Sequence, residues 1–227
     1  MSHPPNELPF WEQPETVEMF AGRPPDKRML AWLMGKPKST RVLDLGCAGG
    51  RNSEWLAREG FDFYAVDTSN AMLAKTHERV ATLLGEQEAD KRVLKRPMNT
   101  LEFEDDFFDL IIALGVIQGA QSVEEWHETV AGLARILKPQ GHMLVAHFSP
   151  KTDITGEGLT TLEGEKHLFE IPKRGRNILL LELEELDTWM GQHGFNPITP
   201  SSQVFVQRDD GHHTTVNAHY QKEGGDV

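Results

Sequence analysis

A single cysteine, Cys47, in 227 residues rules out an intrachain disulfide and favours a reducing, cytoplasmic setting. No apolar run approaches the roughly 20 residues needed to cross a bilayer. Met1 to Phe20 carries proline and glutamate instead of the basic stretch and apolar core of a secretory signal, so no membrane partner is expected. Positive charge is scarce: 23 Lys+Arg against 35 Asp+Glu leave a net charge of -12. A protein that grips phosphate backbones needs a concentrated basic face, and the best local cluster, Lys173-Arg174-Gly175-Arg176, is short. A nucleic-acid partner is therefore disfavoured. Internal repeats and low-complexity tracts are missing too.

What remains is an ordinary globular composition, 38% hydrophobic and 26% charged, long enough for one sizeable domain with a real core. Strand and helix signals alternate, which predicts an α/β fold: a parallel sheet with helices on both faces. Residues 10–35 read as an N-terminal helical arm interrupted at Arg23-Pro24-Pro25. Strands are predicted at 41–45, 62–66, 92–96, 108–114 and 142–148. Helices are predicted at 53–59, capped by Asn52 or Ser53; from Ser69 or Asn70 onward; and from Ser122, where Ser122-Val-Glu-Glu125 has a capping-box pattern. Gly85–Asp90 reads as a polar break, and Pro139 and Gly141 as the stop of the Ser122 helix. Leu168–Ile171 suggests a short strand and Leu183–His193 a helix. Two last strands, about 203–208 and 214–221, flank the hairpin turn Asp209-Asp-Gly211.

The chemistry is concentrated in Val42-Leu-Asp44-Leu-Gly46-Cys-Ala-Gly49-Gly50, an apolar strand running into a glycine-rich turn just before a helix. Glycines allow a sharp bend and close backbone approach to a ligand, and the helix start adds free N–H groups and partial positive charge. Asp67 ends the second strand 18 residues after Gly49, where a carboxylate can accept bonds from ribose hydroxyls and repels a 2′-phosphate. The dinucleotide pattern G-x-G-x-x-G fails, because Ala48 and Arg51 stand where glycines are needed.

The D-x-G-x-x-G-G stretch instead resembles motif I of class I S-adenosylmethionine (SAM)-dependent methyltransferases of the small-molecule type, similar to methyltransferase domain 11 or 25. Asp67-Thr68-Ser69 resembles their second motif. Leu101-Glu-Phe103 through Phe107-Phe-Asp109-Leu-Ile-Ile112, then Arg135-Ile-Leu-Lys-Pro139-Gln-Gly141, are similar to two later motifs in the same order. The resemblance implies a doubly wound, Rossmann-like seven-stranded sheet of order 3-2-1-4-5-7-6, last strand antiparallel, behind a helical arm. Residues 1–35 would form a lid, 36–148 the SAM core, and 149–227 a substrate-side insertion with the terminal helix and hairpin.

By the same resemblance, Asp44, Gly46, Cys47, Ala48 and Gly49 lie under the methionine part of SAM and Asp67 holds the ribose. Thr68 and Met72 contact ribose or adenine, Met98 and Asn99 flank the adenine, and Leu114, Gly115 and Gln118 lie beside the sulfonium. Two positions depart from the family: Pro97-Met98-Asn99 replaces an Asp, and Gln118 replaces a His after the fourth strand. Plainer readings stand beside these. Cys47 reads as a packed side chain and not a nucleophile, Met72 lies on its helix's apolar stripe, and His212-His213 reads as a solvated hairpin, so no metal is expected. His147, near the carboxyl end of the fifth strand, is the one catalytic candidate. Trp11, Phe20 and Arg23 would screen the sulfonium from water. The implied activity is methyl transfer to a small molecule, leaving S-adenosylhomocysteine (SAH). The alternatives are an RNA- or protein-directed methyltransferase and a non-catalytic SAM-binding module. Monomer and homodimer are both open.

Overall fold

A computed structural model describes residues 8–171, 176–209 and 211–224. A 3-10 turn, Phe10–Glu12, precedes α1 (Pro14–Ala21) and α2 (Lys27–Leu33). Then follow β1 (Arg41–Leu45), α3 (Arg51–Glu59), β2 (Asp62–Asp67), α4 (Asn70–Leu84), α5 (Glu86–Arg92), β3 (Val93–Lys95) and β4 (Phe108–Leu114). A second 3-10 turn, Ile117–Gly119, leads to α6 (Val123–Ile136) and β5 (Leu137–Phe148). The chain ends with β6 (Thr160–Thr161), β7 (Leu168–Ile171), β8 (Arg176–Leu179), α7 (Leu183–Gly191), β9 (Phe195–Pro197), β10 (Ser202–Arg208) and β11 (Gly211–Lys222).

The main sheet runs β3-β2-β1-β4-β5-β11-β10, parallel through β5 and antiparallel from β11 onward, the order the resemblance implied. β9 shares the outermost lane with β10: it pairs with β11 at Phe195–Pro197, and β10 pairs further along the same strand. A separate antiparallel sheet, β6-β7-β8, forms the insertion.

Side chains alternate across a pleated strand, so each central strand feeds both faces. In β4, Ile111 and Ala113 join a cluster with Trp126, Val130 and Leu133 of α6, whereas Leu110 and Ile112 join Leu56 of α3, Val80 of α4 and Met29 of α2. Leu110, Ile111 and Ile112 are fully buried, each contributing about 1.5–3 kcal/mol. The parallel strands thus point their carboxyl ends at one edge, where β1, β2, β4 and β5 give way to loops.

Three local expectations are corrected. Gly85–Asp90 is not a break: α5 forms there, with only Ala89 buried, supported by Lys91–Glu88, Arg92–Glu88 and Arg92–Asp62 ion pairs. Gly50, not Asn52 or Ser53, occupies the N-cap of α3. The Pro139-Gln-Gly141 turn lies within β5, between Leu137, paired with Phe108, and His142, paired with Leu110; α6 has already ended at Ile136. Elsewhere local chemistry holds: Ser69 Oγ accepts from Met72 N at 3.2 Å and Ser122 Oγ from Glu125 N at 3.0 Å. Glu125 answers to Gln121 N at 2.7 Å instead of closing the box on Ser122.

Candidate active site

The turn after β1 bends through three left-handed residues, Gly46 (φ 68°), Ala48 (φ 48°) and Gly50 (φ 78°). An alanine there is strained, a cost that neighbouring contacts must offset. Those contacts are on β2 and α4. Gly46 N and Cys47 N donate to Val66 O at 2.8 and 3.0 Å, and Thr76 Oγ1 donates to Ala48 O at 2.6 Å. Ala48 N donates to Asp67 Oδ2 at 2.9 Å, while Asp67 Oδ1 accepts from Thr68 N at 2.7 Å and Ser69 N at 3.0 Å. One carboxylate therefore fixes the turn after β1 to the turn after β2. A carboxylate has about four acceptor positions, so Asp67 keeps capacity for a further donor.

Asp44 lies beneath this turn, 2% exposed. It accepts from Asn52 Nδ2 at 3.3 Å and Ser53 Oγ at 2.7 Å; burial raises its pKa, against the pull of those two bonds and the Arg51 charge. Asn52 and Ser53 are thus braces of Asp44, and Asn52 Oδ1 also accepts from Asp26 N at 3.0 Å, tying in the cap of α2. Cys47 is buried and its thiol pKa is pushed well up by burial, as befits a packed side chain. A Cβ on Gly49 would come within 2.8 Å of the Ala21 backbone, so α1 can seat here only on glycine.

The arm is clipped to this site. Ser69 Oγ donates to Trp11 O at 2.9 Å, and the Glu12 carboxylate accepts from Asn70 N and Ala71 N at 2.9 and 3.0 Å, capping α4 from 58 or 59 residues away. Burial acts to raise the Glu12 pKa, but these amides, Ser69 and the Lys95 charge bring it below its ordinary value. Trp11 and Phe20 pack with ring centroids 5.1 Å apart, Arg23 lies 4.1 Å over the Phe20 ring, and Arg176 of β8 lies 5.6 Å over Trp11. Arm and insertion therefore meet. The sequence pattern did not reveal Glu12, because a cap supplied from so far along the chain leaves no local signature. Lys173, Arg174 and Gly175 lie outside the described residues.

At the ends of β4 and β5, Gly115 N donates to Ala146 O at 2.8 Å and Gln118 is buried. Leu114 and Met98 are half-buried, Met72 is buried, and Thr68 and Asn99 are exposed, with Asn99 Nδ2 held by Glu125 Oε1 at 3.0 Å. His147 is fully buried. Its Nδ1 lies 2.9 Å from Phe148 O, and a carbonyl only accepts, so Nδ1 carries the proton and Nε2 the lone pair. Burial lowers its pKa to about 4, keeping the ring neutral. Nε2 of His147 and Oε1 of Gln118 are both buried without a hydrogen-bond partner. Among the described residues no cluster of three His, Cys, Asp or Glu side chains could hold a metal. His212 Nε2 lies 2.8 Å from Lys151 O, and Asp210 is outside the described residues.

A methyltransferase-domain family model matches residues 42–141. A ubiquinone biosynthesis O-methyltransferase of Alkalilimnicola ehrlichii is 28% identical over 203 residues, covering 85% of this chain and 77% of its own length. The chain is thus similar to methyltransferases, over residues 42–141 in the family model and over 85% of its length in that relative. Among solved structures, a SAM-dependent methyltransferase from Methanosarcina mazei superposes with a TM-score of 0.69 at 16% identity, covering 89% of this chain and all of its own. The Burkholderia thailandensis 1,6-didemethyltoxoflavin-N1-methyltransferase, with SAH bound, gives 0.62 at 18% identity, covering 91% and 78%. At these identities the two structures speak for the fold alone. The chain is thus similar to enzymes that transfer methyl groups, SAM-dependent ones among them. Its residues fit the donor: a strained, glycine-rich turn offers close backbone approach, and Asp67, pre-set by three amides, retains room for a sugar hydroxyl.

Proposed function

We propose that the enzyme methylates a hydroxyl oxygen on a small aromatic or enolic acceptor, with His147 taking the hydroxyl proton. The carrying observation is the imidazole itself: buried, neutral, its tautomer set by Phe148 O, and its Nε2 lone pair without a donor. SAM supplies an activated methyl group on a cationic sulfonium, so the protein's task is alignment, exclusion of water and proton removal. A hydroxyl bonded to Nε2 becomes a better nucleophile as its proton moves onto the ring, and Phe148 O steadies the imidazolium so formed. Gln118 Oε1 offers a second acceptor to a neighbouring hydroxyl. The name of the Alkalilimnicola relative, an O-methyltransferase of ubiquinone biosynthesis, favours the same acceptor atom.

In this reading the Gly46–Gly49 turn, with Asp44 as its support, holds the methionine end of SAM, Asp67 the ribose, and Thr68 and Met72 the ribose or adenine. Met98 and Asn99 flank the adenine, and Leu114, Gly115 and Gln118 line the sulfonium side. Residues 1–35 act as the lid, 36–148 as the SAM core and 149–227 as the acceptor side. No described helix is long and apolar enough to cross a membrane, and the buried reduced thiol of Cys47 suits the cytoplasm. The test is His147→Gln, which keeps polarity but takes no proton. The expected result is a fall in kcat of about 10²–10⁴ with SAM affinity retained. Undiminished turnover would end the case for His147.

A further inference from the structure

In a chain with twelve more acidic than basic residues, most described lysines and arginines pair with a carboxylate or a carbonyl. Arg23 is different. It is only partly exposed, and no carboxylate or hydrogen-bond acceptor among the described residues engages its guanidinium; its contact is the face of Phe20 at 4.1 Å. From there a chain of ring contacts runs across the arm: Arg23 over Phe20, Phe20 tilted 59° against Trp11 at 5.1 Å, and Arg176 of the insertion over Trp11 at 5.6 Å. Trp11 is anchored through its carbonyl to Ser69, whose amide is bonded to Asp67, so these contacts stand directly beside the turn after β1.

A half-buried guanidinium without a counter-charge is costly unless a ligand supplies one. The surroundings do not relieve it: partial burial, then the charges of Arg208 and Arg51, hold the Arg23 pKa below its ordinary value. Arg51 spends a donor on Pro24 O at 2.8 Å, which fixes the neighbouring backbone of the arm. No carboxylate among the described residues forms an ion pair with Arg208. A flat ring packed against Trp11 or Phe20, with an anionic substituent reaching Arg23, would satisfy both an aromatic face and the unmatched charge.

We propose that Arg23 forms an anion subsite on the aromatic roof, and that the acceptor is a hydroxylated aromatic carrying a carboxylate. The idea rests on the hydroxyl-acceptor reading above. Its test separates the two by measuring binding and turnover independently. The probes are 3,4-dihydroxybenzoate and its uncharged amide, 3,4-dihydroxybenzamide, titrated calorimetrically into SAH-saturated enzyme and assayed with SAM. The acid should bind at least about tenfold tighter than the amide, as for one charge-assisted contact. That preference should shrink as salt rises and fall towards unity in Arg23→Gln. Equal binding of acid and amide, binding of neither, or a preference untouched by Arg23→Gln would overturn the subsite. Preferential binding of the acid without methyl transfer would support the subsite and count against the hydroxyl-acceptor reading. Transfer to both probes without preference would do the reverse.

Discussion

Asp67 does two jobs with one carboxylate. Its three amide partners belong to two separate turns, so removing it loosens the turn after β1 as well as the proposed sugar contact. Asp67→Ala is expected to raise the SAM dissociation constant by at least about tenfold, measured by calorimetry, and to leave Ala48 in its strained conformation without an anchor. An unchanged constant would mean that the donor is held elsewhere. The sequence pointed to Asp67 because a carboxylate at the end of the second strand, after a glycine turn, has a mechanical reason to be there. It could not show that Asn52 and Ser53 face inward onto Asp44, since both are ordinary cap residues at an ordinary cap position. His147 was legible as a position. Its tautomer and its solitary Nε2 were not, because they depend on Phe148 O and on burial beneath α6 and its Trp126.

At the scale of elements, the arm is held by close fit, by the ionic cap of Glu12, and by the Lys75–Glu18 ion pair and bonds from Ser69, Arg51 and Arg79 to its carbonyls. A methyl added at Gly49 would strike the Ala21 backbone at 2.8 Å, and backbone has little freedom to yield. Gly49→Ala should therefore displace α1: limited proteolysis within residues 13–25 should quicken, and SAM should dissociate faster. Glu12→Gln should act in the same direction but more mildly, by about 1 kcal/mol of capping energy. Equal protease resistance in both variants would refute this seating of the arm. The central strands and α6 could be read from the chain because two-residue and helical periods are strong over long apolar segments. Helix α5 could not, since seven residues with one buried side chain carry no stripe. Of the small insertion sheet only Leu168–Ile171 showed itself; β6 is two exposed threonines, and β8 begins beside a run of Pro, Lys, Arg and Gly that reads as loop.

For the whole molecule, one buried and three half-buried histidines shape the response to acid. His147 and His142 both have folded pKa values near 4, each lowered first by burial, against an ordinary 6.5; His219 and His193 are lowered as well. Between those values the unfolded chain binds more protons than the folded one, so stability falls as pH drops from about 6.5 towards 4 and is unaffected by these groups above that window. The melting temperature should decline across this interval, and less steeply in His142→Gln; equal slopes would exclude His142 from the effect. The same low His147 value places the acid limb of kcat/KM well below pH 6. The seat of the arm carries one more consequence. Its foundation is the turn after β1 and the first turn of α4, the surfaces proposed to receive SAM, and its upper side carries Trp11 and Phe20. If residues 1–35 act as the proposed lid, turnover is expected to be ordered: the donor loads first, the acceptor follows once a roof exists to receive it, and the spent donor leaves last.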